Sequence, residues 1–163
     1  MKIEAGIWIR ISVVGLSLLS VTGSAQSVCP WLNAATAEGV LGGTVTVEVN
    51  GTGVCQFRLQ NGARNDALRI SVIEGDNPEN AVKEMALRKT SCTSSETQLK
   101  AVGNEAVLCA SDIGSLRGEQ AVGRVRNRIF TVAISTDKAS EATRDLLAEK
   151  VEEIAKQVAG ALF

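Results

Sequence analysis

What most constrains the fold of this chain is the shortness of its reversals. From Thr44 to Glu74, and again from Gln98 to Ser135, the sequence falls into brief alternating segments joined by turns of a few residues. A parallel pair needs a crossover of a dozen or more residues, so these segments must pair largely antiparallel. Val45, Val47 and Val49 share one face of the first segment, which runs from Thr44 to Val49. Asn50-Gly51-Thr52-Gly53 then turns the chain into Val54–Gln60 as a hairpin. The same Asn-Gly-Thr triplet matches a glycosylation acceptor, but the turn accounts for it fully. Leu68, Ile70 and Val72 face together in a third strand, Ala67–Glu74. Further on, Gln98–Val102 and Ala106–Ser111 flank Gly103-Asn104-Glu105 as paired strands. Glu119–Arg126 and Arg128–Ser135 form a second hairpin with Phe130, Val132 and Ile134 on one face.

Three helices frame these strands. Asn33 caps a short one, Ala34–Leu41, that Gly42-Gly43 stops. A second covers Asn80–Lys89, with Pro78 placed for its first turn and Ala81, Val82, Met85 and Ala86 on one side. The longest, Ala139–Leu162, repeats Leu147, Val151, Ile154, Val158 and Leu162 at three- and four-residue steps, with Asp137 or Ser140 as its cap. The expected fold is α+β: a twisted, mainly antiparallel sheet of about six or seven strands. The long C-terminal helix and the shorter helices pack on it, and the other face is more polar.

The amino-terminal residues read as a signal peptide. Lys2 and Arg10 precede an apolar run from Ile11 to Val21, about eleven residues where a bilayer span needs about 20. Gly23 and Ala25 are the small residues of a cleavage site, so residues 1–25 are expected to be removed and 26–163 to form a single domain. No membrane span would then remain, and the compartment would be the periplasm or the exterior. The mature part holds all four cysteines, Cys29, Cys55, Cys92 and Cys109, an even count that in an exported chain reads as disulfides. Cys29–Cys55 and Cys92–Cys109 are preferred because each closes a loop within one half, over 26 and 17 positions. Wide, unequal spacing without a CxxC pair argues against a four-thiolate metal site.

Composition narrows the chemistry. The chain has no histidine, which excludes Ser-His-Asp and Cys-His catalysis and the usual zinc hydrolase sites. It has no tyrosine, and beyond the leader only Trp31, Phe57, Phe130 and Phe163 are aromatic, too few for platforms that stack nucleic-acid bases or sugar rings. With a net charge of −1 there is no long-range pull toward nucleic acid or an anionic membrane. No cofactor motif is present: Gly51-x-Gly53 lacks the third glycine of a dinucleotide loop. Ser135-Thr136-Asp137-Lys138 has the Ser-x-x-Lys spacing of acyl-transfer enzymes, but the serine ends a strand instead of opening a helix.

One charged pattern stands out. Arg124, Arg126 and Arg128 recur every second residue with Arg117 nearby, so a continuous strand would project three guanidiniums from one face. Such a row needs acids on adjacent strands, such as Glu48, Glu74 or Glu119, or an anionic partner. If Asn127 is a turn residue instead, the row divides between two strands. On the last helix, Glu152 one turn before Lys156 and Glu141 near Arg144 read as a solvated face. Trp31, beside Cys29-Pro30, reads as a plug against the first disulfide.

Cys29 followed by a small helix ending in Leu41-Gly42-Gly43, Cys55 in the second strand, Gly103-Asn104-Glu105-Ala106 before a strand, and a late hairpin leading to an amphipathic helix together carry a resemblance. The chain resembles bacterial extracytoplasmic domains of unknown function, among them small actinobacterial lipoproteins, and is similar to the extracellular sensor domains of some bacterial Ser/Thr receptor kinases. The resemblance spans most of residues 29–162. It implies a twisted antiparallel sheet with packed helices and a role in binding or sensing. This chain has no kinase part, and Gln26-Ser27-Val28 before Cys29 lacks the small residue of a lipid-attachment site. The expected function is an exported non-catalytic module that binds a protein, an anionic small molecule or an anionic polymer. The alternatives are an accessory component of a cell-envelope complex and, third, a serine-dependent acyl-transfer enzyme.

Overall fold

The structure, a computed structural model, describes residues 28–51, 53–60, 65–112, 115–137 and 141–163. The leader expected at residues 1–25 lies outside them, as do Thr52, Lys138 and Ser140. Seven strands form one sheet: β1 (Val45–Asn50), β2 (Val54–Leu59), β3 (Ala67–Glu74), β4 (Thr97–Gln98), β5 (Glu105–Ala110), β6 (Arg117–Val125) and β7 (Arg128–Thr136). Their order is β1-β2-β3-β7-β6-β5-β4, and every neighbouring pair is antiparallel. The helices are α1 (Ala34–Leu41), α2 (Pro78–Lys89) and α3 (Glu141–Leu162). An α+β sheet with a long C-terminal helix is therefore the fold.

Two helices share one face. α1 lies over β1–β3 and α3 over β5–β7. Beneath them Phe57, Leu68, Ile70, Phe130, Val132, Val151, Ile154 and Val158 are closed from solvent. Side chains alternate across a strand, so the period-two set of β7 meets the three- and four-residue stripe of α3, and that of β3 lies under α1. Caps fix the helix ends. Asn33 Oδ1 accepts from Thr36 N at 2.8 Å, and Gly42, at φ 79°, closes α1 with its N–H on Glu38 O. Asn77 caps α2, which begins at Pro78 and so two residues before the expected start. Lys150 Nζ, from α3, donates to Val40 O at the end of α1.

The expectation that all helices share one face is corrected by α2. Ala81 and Met85 pack on the opposite face over Val107, Val122 and Ile129, with Ile73 at the margin. Those four residues form an apolar patch on a face that also carries Gln56, Arg69, Ser71, Gln120 and Thr131. The strand expected at Gln98–Val102 is also cut to two residues. Ala101 and Gly103 both take positive φ, 60° and 63°, which bends the segment away while Leu99 and Val102 still bury.

Both expected disulfides are present, Cys29–Cys55 and Cys92–Cys109, and there are no free cysteines among the described residues. Trp31 is half-buried and packs against the main core. No described helix is long and apolar enough to cross a membrane.

Candidate functional site

On the face that carries α2, the helix lies mainly over β6 and β7, reaching Val107 of β5 and Ile73 of β3 at its margins. No described helix covers the β1–β3 half. Register places Gln56 beside Arg69, Arg69 beside Ala133, and Ser71 beside Thr131 on this uncovered surface. Ala67, Ser71, Ala133 and Ser135 are small, so the two central strands form a low floor between the larger side chains of β2 and β6. Two cavities follow from that relief. One, of about 550 Å3, runs from Arg58 and Asp66 past Arg69 to Ser115 and Ser135. The other, of about 600 Å3, runs from Arg69 under the end of α2, past Arg88, Ser91 and Thr131. Arg69, Ser111 and Ala133 line both, so the two cavities adjoin at these residues and together make a cleft along the sheet.

The charges in the cleft are unevenly matched. Arg58 lies 3.9 Å from Glu48, and Arg88 donates to Glu84 at 2.9 Å. Asp112 is held by Arg117 and Arg144. Arg69, exposed on the cleft floor, makes no ion pair or side-chain hydrogen bond among the described residues. A guanidinium has five donors in a planar fork and stays charged, so an unpaired one between two cavities is a standing acceptor of anions. Asp66, at the rim, also lines the cavity between α1 and α3, and its Oδ1 is closed from solvent without a hydrogen-bond partner. Gln120, 3% exposed, forms part of the far wall by donating to Ser91 Oγ at 2.7 Å, with its amide 3.6 Å from Cys109 Sγ.

The arginines singled out by spacing do not assemble. Arg126 takes φ 57° and, with Asn127, forms the turn between β6 and β7. The row is thereby divided, as a turn at Asn127 requires. Arg124 faces the α2 side and donates to Arg126 O, while Arg128, on the other face, lies 3.9 Å from Glu74. Arg117 opens β6 at the opposite end of the strand and pairs with Asp112. Glu74 therefore serves one arginine as expected, but Glu48 and Glu119 serve Arg58 and Arg144. Ser135 lies on β7 and lines the cleft; its expected partner Lys138 is outside the described residues. Among the described residues no group of three or more His, Cys, Asp or Glu side chains is placed to hold a metal ion.

Glu119 is the buried acid among the described residues, 8% exposed, with Arg144 at 3.7 Å. Burial raises its carboxyl above the ordinary value of 4.5; Arg144 opposes that rise, and Asp112 and Asp145 add to it. The folded state thus binds this proton more tightly than the unfolded chain. Its contribution to stability is full below pH 4.5 and falls as pH rises through the raised value. Melting curves of Glu119→Gln should therefore decline less with rising pH above 4.5 than those of the wild type. Identical slopes would remove Glu119 as the cause.

No family model matches the chain, and no curated protein matches it. A crystal structure of a protein from Bacteroides thetaiotaomicron VPI-5482 is similar to 65% of this chain and to 40% of its own, at 15% sequence identity and a TM-score of 0.41. So distant a likeness carries no functional argument.

Proposed function

We propose that the chain is an exported, non-catalytic binding module, in the manner of an extracytoplasmic sensor domain, whose ligand lies along the uncovered half of the sheet. The observation that carries this reading is the pair of adjoining cavities over β2, β3 and β7, with Arg69 between them and without an ion pair among the described residues. Their walls are supplied by rigid strands and by α2, which suits a preformed site. The two disulfides support an oxidising compartment, periplasmic or external, and the amino-terminal pattern supports delivery there through a cleaved leader.

Ala133→Trp tests the assignment of the cleft. The indole would occupy the junction of the two cavities from a partly exposed position, leaving the core untouched. Ligands that raise the Tm of the wild-type protein should lose that effect in the variant, while its own Tm stays within about 2 °C, as for a surface substitution. A ligand that binds both proteins equally would place the site elsewhere.

A further inference from the structure

We infer that the cleft holds a compact, doubly charged oxyanion, a phosphate monoester or a dicarboxylate, between Arg58 and Arg69. This rests on the cleft being the binding site.

Strand register brings the two arginines together. Arg58 stands beside Ala67, and Arg69 lies two residues further along β3, so the two are diagonal neighbours on one face of the sheet. Residues so placed are about 7–8 Å apart, within reach for long side chains. Both line the cavity of about 550 Å3. Like charges there repel, and the acids at hand offset them poorly. Glu48 reaches Arg58 at 3.9 Å, but both side chains are more than half exposed and water screens the pair. Arg69 has no ion-pair partner among the described residues. Asp66 is at the rim, yet its side chain alternates to the opposite face, toward the cavity between α1 and α3. A ligand that carries two negative charges relieves both guanidiniums at once, and each fork can grip two of its oxygens.

The floor beside the arginines is shaped for a small body. Across the sheet from Arg58 the same row continues as Ala67, Ser135 and Gly118, and at its far end Ser111 N donates to Gly118 O. No side chain along that row beyond Arg58 exceeds a hydroxymethyl group, so it forms a trough. A second observation points to a ligand. Ser111, 7% exposed and lining both cavities, makes no side-chain hydrogen bond among the described residues. Its hydroxyl can donate to an anionic oxygen or to a polar group that the anion carries behind it. A cavity of about 550 Å3 suits one compact molecule.

Calorimetry on the oxidised protein with four probes tests this. At about pH 8 glycerol phosphate and succinate are dianions, acetate is a monoanion and glycerol is neutral. One or both dianions should bind at least about tenfold more tightly than acetate at low salt, the scale of a second charge-assisted pair. Which dianion binds better identifies the acidic group. Arg58→Gln and Arg69→Gln should each weaken that binding about tenfold or more. Arg126→Gln, which removes the same charge from the exposed β6–β7 turn, should leave it unchanged. Acetate binding as tight as that of the dianions, or dianion binding that neither Arg58→Gln nor Arg69→Gln weakens, would overturn the doubly charged ligand; if Ala133→Trp abolishes that binding, the cleft stands as the site. No binding by any probe would overturn the dianion alone, because the Ala133→Trp melts test the cleft with any ligand. Dianion binding that survives Ala133→Trp would overturn both.

Discussion

Phe130→Ala is expected to destabilise the protein by about 3–5 kcal/mol, the scale of removing a whole aromatic side chain from a filled core. Phe130 is fully buried on β7, in the core cluster that α3 covers. Its ring is also the reason for a glycine on the neighbouring strand. A Cβ at Gly123 would lie 2.3 Å from Phe130 Cζ and 3.0 Å from Ala106 Cβ. Gly123→Ala alone should then cost about 1–3 kcal/mol through overpacking. In the Phe130→Ala background the same methyl enters vacated space, so the double variant should lose less than the two single losses combined. Urea unfolding of the four proteins measures this coupling directly. Additive losses would show that the ring and the glycine are not packed against one another.

Cys29→Ala with Cys55→Ala is expected to cost about 2–5 kcal/mol, and to lower Tm by roughly 10 °C. Closing a loop of 26 positions accounts for the larger share, roughly 3 kcal/mol in the chain-entropy account. Burial adds to it. Cys55 is fully enclosed and Cys29 is 5% exposed, so the bridge anchors the residues before α1 onto the core. The Cys92–Cys109 bridge spans 17 positions, and its Cys92 end is only half-buried. Its removal should cost less. Thermal melts of the two double variants, each compared with the oxidised wild type, would reverse this ranking if the second bridge were the principal anchor.

Much of this fold was legible in the sequence because the signals were local. Asn33 and Gly42 bound α1 at its expected residues, and the period-two sets of β1, β3 and β7 turned to the core as their spacing requires. The departures arise where the deciding partner is distant. Ala101 adopts a positive φ that nothing in its own side chain favours. Arg126 does the same in a tight turn where Asn or Gly is the usual occupant, so three arginines spaced like one strand belong to two strands and the turn between them. α2 chose its face through Val107, Val122 and Ile129, which come long after it in the chain.

The cleft was not legible for a related reason. Arg69 alternates with Leu68 and Ile70 like any outward residue of a half-buried strand. Its distinction is the absence of an ion-pair partner among the described residues, and that depends on which strands stand beside β3. Only the insertion of β7 places Ala133 there and joins the cavities on either side of Arg69. The arginine row drew attention because its spacing could be seen in one stretch of sequence, whereas the cleft is assembled from β2, β3, β6, β7 and the end of α2.

β7 is last among the strands in the chain yet lies between β3 and β6 in the sheet. A polypeptide emerging amino-terminus first can complete the β1–β3 meander early, but the outer edge of β3 has no neighbour until residues 128–136 arrive. That edge is bordered by Leu68, Ile70 and Val72, a strand whose backbone groups and apolar side chains are open together, the combination that recruits other chains. The interval of greatest aggregation risk is thus set by the speed at which residues 75–127 follow. A holdase guarding this protein would have to cover β3, and could release it only once Ser135 was free to pair with Ala67.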